Sequence, residues 1–199
     1  LSSFAALQKQ FDAQYELEYV VVCDGNLDQE FRALKDDLAL AGFKPDSLLV
    51  CPSVDRQSTP PGSEWPDCPP LADIYNAARK AFPDISLGGG MFSYFTELNR
   101  KRPPVEMLDF VTHATNPIVH AADDESVMET LETLPHIFRS ARAILGSDKE
   151  YRLGPTTIAM RQNPYGSRTF PNPNGELICM THDDPRHREQ FGEAWAIGY

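Results

Sequence analysis

The chain has 199 residues, 41% of them hydrophobic and 24% charged, enough for one sizeable globular domain with a real core. Its formal net charge is −11, from 29 acidic and 18 basic residues, and the only basic run is Arg100-Lys101-Arg102, which speaks against a nucleic-acid-binding face. No stretch approaches the ~18 apolar residues of a membrane span, and the first residues lack the basic start and apolar core of a signal peptide. The expected partner is therefore a small molecule rather than nucleic acid or a membrane.

Taken in order, Phe4, Leu7 and Phe11 fall at helical spacing and predict a helix over 4–16. LEYVVVC (17–23) is rich in β-branched residues and predicts a strand. Asp24-Gly25-Asn26 is turn chemistry. Asn26 followed by Gln29 suits a helix start, Leu27, Phe31, Leu34, Leu38 and Ala41 share one face, and Gly42 ends that helix. SLLVCP (47–52) is the next strand. A long, proline-rich loop over 53–70 is of the kind that carries function or disorder. Pro69 and Pro70 introduce a helix with Leu71, Ile74, Ala78 and Ala81-Phe82 inward.

Ile85-Ser86-Leu87 reads as a buried strand that opens at Gly88-Gly89-Gly90 into a loop presenting Glu97, Asn99 and Arg100. A strand over 108–112 ends at His113-Ala114-Thr115-Asn116-Pro117. Asp123 or Asp124 then caps a long helix with Val127, Leu131, Leu134, Phe138, Ala141 and Leu145 inward and a kink expected at Pro135. The last strand lies within 152–160 and ends at Arg161-Gln162-Asn163. Asp184-Pro185 begins a final helix.

Apolar strands alternating with helices point to parallel strands covered by helices, either in a (β/α)8 TIM barrel or in a doubly wound sheet. No G-x-G-x-x-G opens a helix after a strand and no Walker-type phosphate loop is present, so no nucleotide cofactor is expected. The four cysteines form no C-x-x-C pair. Cys23 and Cys51 fall on strands as buried thiols, and a reducing, cytoplasmic location is expected.

In a barrel every strand end reaches one rim, which would gather Asp24, Asn26, Ser53, Asp55, Glu97, Asn99, His113, Asn116, Arg161 and Asn163. Carboxylates, imidazoles and amides in that number suit a polyhydroxylated ligand. Trp65, Tyr94, Phe95 and Tyr165 could stack on a ring. Glu97 is the candidate general acid or base, because a carboxyl group flanked by aromatic rings loses hydration. His113 and His120 could polarise a carbonyl or move a proton, while each has the simpler reading of a satisfied, partly buried histidine. H-x6-H-x2-D (His113, His120, Asp123) is no metal signature, and no metal is assigned. Arg161 and Asn163 could bind hydroxyl or carboxylate groups. Asp24 has turn chemistry as its simpler role. No G-x-S-x-G elbow supports a serine hydrolase.

GGGMFSYFTELNRKRPP (88–104), DFVTHATNPIVHAADDESVMETLE (109–132), GPTTIAMRQNP (154–164) and DPRHREQFGEAWAIG (184–198) together resemble the TIM-barrel domain of D-apionate lactonases, a family similar in fold to retaining glycoside hydrolases. The resemblance implies a hydrolase that opens a sugar-derived lactone in carbohydrate catabolism. Joined to the strand-end residues, it gives Glu97 and His113 as catalytic and Asp24, Asn99, Asn116, His120, Arg161 and Asn163 as substrate-binding. It further implies that the chain holds about strands two to six of eight. Glu97 would then follow strand four, and a second carboxylate would lie beyond Tyr199. Met91-Phe92-Ser93 and His113-Ala114-Thr115 depart from the family pattern at the presumed rim. A retaining glycosidase and a non-catalytic carbohydrate-binding barrel are the alternatives. The sequence carries no signal for oligomeric state.

Overall fold

The computed structural model describes residues 1–165 and 168–199. Five strands form one parallel sheet in chain order: β1 (Glu16–Val21), β2 (Ser47–Pro52), β3 (Ser86–Tyr94), β4 (Phe110–Thr115) and β5 (Glu150–Thr156). Six helices accompany them: α1 (Ser2–Gln10), α2 (Leu27–Ala41), α3 (Leu71–Ala81), α4 (Phe95–Lys101), α5 (Asp124–Leu145) and α6 (Gln190–Gly198). None is long and apolar enough to cross a membrane among the described residues.

Local chemistry sets several boundaries. Asn26 Oδ1 accepts the Gln29 N–H at 3.1 Å, and Gly42 at φ 69° closes α2 in the left-handed conformation. Asp123 caps α5 through the Ser126 N–H, and the helix continues on both sides of Pro135. β1 stops at Val21, two residues before the expected end. The reason is Glu30, whose carboxylate accepts the backbone N–H groups of Val22 and Cys23 at 2.6 and 3.1 Å. α1 ends at Gln10 rather than near 16, because Tyr15 is held extended by Asp46 on both its N–H and its C=O. The final helical stretch begins as a 3-10 turn, Pro185–Arg188, capped by Asp184.

Alternate strand residues bury on opposite faces. Val21, Leu48, Val50, Leu87, Met91 and Val111 pack with Phe31, Leu34, Ile74, Tyr75 and Leu98 on the helix side. Val20, Leu49, Cys51, Phe92 and Phe110 form a separate cluster on the other face. On that inner face the sheet curls until side chains on or just past its last strand reach those of its first. Arg152 of β5 lies 3.7 Å over the Phe110 ring and pairs with Glu16 of β1. Arg161, just past β5, pairs with Glu18 of β1. A sheet curved this far is part of a barrel wall.

The glycine triplet differs from expectation. β3 runs through Gly88-Gly89-Gly90 to Tyr94 without opening into a loop. A Cβ on Gly88 would sit 2.1 Å from Phe110 Cζ, and one on Gly90, where φ is 126°, would sit 2.0 Å from the Thr112 carbonyl oxygen. The glycines make room for a neighbouring strand. Beyond them the register against β4 shifts between Met91 and Tyr94, which marks a bulge at Phe92-Ser93.

Candidate functional site

The C-terminal ends of β2 and β5 frame a cavity of 490 Å³. Ser53, Arg56 and Gln57 follow β2, and Arg161, Gln162 and Asn163 follow β5; Arg168, Thr169 and His182 complete the lining. The segment after β5 is laced to the other strand ends. Gln162 Nε2 donates to the Phe92 carbonyl at 2.5 Å, a group that the β3 bulge frees from the ladder. Gln162 Oε1 accepts from Arg56 Nε at 3.3 Å, and the Ser58 N–H donates to the Pro164 carbonyl at 2.5 Å. Asn163, 4% exposed, accepts the Tyr165 N–H at 2.9 Å and donates to Met180 Sδ at 3.2 Å.

Of the residues expected at the rim, Ser53, Arg161 and Asn163 line this cavity. Asn116 lies beside it in a narrow cleft shared with Phe92, Tyr94, Arg161 and Gln162. Its amide is committed: Nδ2 donates to the carbonyls of Thr157 and Ile158, and Oδ1 accepts the Ile118 N–H. Asn116 thus clamps the β4 and β5 loops together.

The other expected residues are placed elsewhere. Glu97 does not project from a strand-end loop. It occupies the first turn of α4, 2% exposed, and its carboxylate accepts the Thr59 N–H at 3.1 Å and pairs with Arg100. Helix α4 follows β3 directly, so Glu97 is covered by the loop after β2. Beside it lies a second buried acid, Asp55, paired with Lys101. Burial pushes the Asp55 carboxyl above the usual carboxylate range, while Lys101 opposes the rise.

His113 is not at the rim either. It is fully buried on the helix-facing side of β4, its ring between Phe95 and Tyr151 at centroid distances of 5.6 and 5.7 Å. The Ala114 carbonyl can only accept, so His113 Nδ1 carries the proton and donates at 2.9 Å. Nε2 then accepts from the Tyr151 hydroxyl at 2.7 Å. Both contacts suit the neutral ring, and burial lowers its pKa to about 4.

Asp24 is exposed in the turn after β1 and lines no part of the cavity. Asn99 is exposed on α4 and receives Arg102 on both its side-chain and backbone oxygens at 2.7 Å. His120 is exposed and shares a 3.1 Å hydrogen bond with Tyr165. Of the four aromatic residues expected to stack on a ring, Trp65 covers Lys101, Phe95 packs on His113, Tyr165 packs on His120, and Tyr94 borders the cleft with Phe92. The described residues contain no group of three or more His, Cys, Asp or Glu side chains arranged to hold a metal. Arg56, Arg168 and His182 also line the cavity, with no signal in the sequence for it. They come from separate irregular segments, and no local spacing announces their convergence.

A family model described as D-apionate lactonase, TIM barrel domain, matches residues 1–199. The chain belongs to this family. A D-apionate lactonase from Brucella anthropi is 60% identical over 198 residues, which cover 100% of this chain and 32% of that protein. The chain therefore spans 32% of the length of the curated relative it matches. Family membership fixes the five parallel strands as a section of a TIM barrel. The cavity opens at their C-terminal ends, the face on which enzymes of this fold carry their chemistry.

Proposed function

We propose that the protein containing this chain is a hydrolase that opens a sugar-derived lactone, D-apionolactone or a close relative, and that this chain supplies part of the ligand-binding rim. The observation that carries the reading is the lining of the rim cavity: guanidinium, amide and hydroxyl groups converging from the ends of β2 and β5. Such groups match the hydroxyls of a sugar ring and the carboxylate that appears when the ring opens. The relationship to a lactonase 60% identical in this region supports the reaction class.

In that reaction water adds to the ester carbonyl, the ring C–O bond breaks, and the products are one hydroxyl and one carboxylic acid. Arg161 and Asn163 orient the substrate, and a fixed guanidinium stabilises negative charge developing on the carbonyl oxygen. The proton work expected of Glu97 and His113 has no support from their placement, since neither lines the cavity.

The test uses the full-length protein. Acid release from a panel of aldonolactones, D-apionolactone included, is followed with a pH indicator, and aryl glycosides are assayed in parallel. Turnover of lactones and not glycosides is the expected result. Turnover of glycosides alone, or of neither, overturns the reading.

A further inference from the structure

The rim cavity carries a charge pattern that lactone chemistry alone does not require. Three arginines line it, and no carboxylate does among the described residues. This occurs in a chain whose acidic residues outnumber its basic ones by 29 to 18. Guanidinium groups stay charged at any working pH. Their existing partners are few. Arg161 is paired with Glu18 of β1, which does not line the cavity. Arg56 uses only Nε, on the neutral amide of Gln162, and both terminal nitrogens of its fork are uncommitted among the described residues. Arg168 is exposed and has no hydrogen bond or ion pair with any described residue. Several other arginines are matched with acids, Arg79 with Asp109, Arg152 with Glu16 and Glu150, and Arg186 with Asp184 and Asp124, while Arg102 and Arg142 bond neutral oxygens.

We infer that Arg56 and Arg168, with Arg161, form an anion-recognition subsite that takes the carboxylate of an open-chain polyhydroxy acid. A carboxylate is planar and accepts two parallel N–H bonds from one guanidinium fork, which suits it to Arg56 or Arg168. Neutral donors and acceptors beside the arginines, Gln57 and Thr169, are positioned for the hydroxyls of the same molecule. The volume of 490 Å³ falls in the range of ~300–1,000 Å³ typical of small-molecule sites. Resting on the lactonase reading, the inference deepens it: the ligand this subsite favours is the charged acid rather than the neutral lactone, so the product is retained and inhibits.

The test is titration calorimetry on the full-length protein with the sodium salt of apionate, the lactone and inorganic phosphate as separate probes, each at low and high sodium chloride. The acid is expected to bind more tightly than the lactone and to lose affinity as salt rises. Arg168→Gln and Arg56→Gln, both at exposed positions, should each weaken acid binding roughly ten- to a hundredfold and raise the product-inhibition constant in step. Folding of both variants is checked by circular dichroism. Unchanged acid binding in both variants overturns the subsite, whatever the turnover. Phosphate binding as tight as the acid overturns the assignment to a hydroxy acid. Acid binding that depends on both arginines in a protein with no lactone turnover keeps the subsite and removes the lactonase reading.

Discussion

Gly88 and Phe110 illustrate how one missing side chain decides the packing of two strands. The Phe110 ring fills the space a Cβ would take, and Arg152 then lies on that ring. Gly88→Ala should cost about 1–3 kcal/mol through overpacking, read as a lowered urea midpoint. Adding Phe110→Leu should recover part of the loss, because the two sites are in contact. Glu97 poses a different question at the same scale. Glu97→Gln keeps an acceptor for the Thr59 N–H and loses the charge opposite Arg100. Arg100 is partly exposed, so the expected loss is about 1–2 kcal/mol of stability, with the proposed lactone turnover of the full-length protein little changed. A fall in kcat on the order of a hundredfold, at unchanged stability, would restore Glu97 to proton transfer.

Among the elements, β4 carries the clearest dependence on pH. His113 is neutral in the folded chain, with a pKa of about 4 against 6.5 when unfolded. The unfolded chain therefore takes up the proton first as pH falls. Stability from this residue is complete above pH 6.5 and is lost progressively between 6.5 and 4, about 3 kcal/mol in all. Urea titrations at several pH values should show that decline in the native chain and a flatter profile in His113→Phe. Equal slopes for the two proteins would refute it. The elements themselves were largely legible: β2 and α3 stand where apolar run and helical period put them, and Asn26, Gly42 and Asp123 act as caps. The direction of His113 was not legible. The strand was expected to end at Thr112, but β4 continues to Thr115, and alternation within it turns His113 onto the helix-facing side with Val111. The glycines misled because room for a strand and room for a ligand call for the same residue.

At the scale of the whole molecule, the barrel wall is held across its concave side by pairs far apart in sequence, Glu16 with Arg152 and Glu18 with Arg161. Such pairs leave no local trace, and of the cavity lining only Ser53, Arg161 and Asn163 could be anticipated from strand ends. The outer edges of β1 and β5 have no strand partner among the described residues. Unpaired edges template further pairing. The 199-residue chain, prepared by itself, should self-associate at concentrations where the full-length protein does not, as read by sedimentation velocity. A monomer at all concentrations would contradict this.

The contacts of Ser58 and Thr59 divide the long loop after β2 into two unequal parts. Up to Thr59 the backbone is fastened to Pro164 and to Glu97. From Pro60 to Trp65 every residue is exposed, and the one internal backbone bond is a turn from Ser63 to Pro60. Proteases therefore meet two kinds of substrate in one connection. A glutamate-specific protease should nick first after Glu64, whereas trypsin should spare the exposed Arg56 until the fold opens.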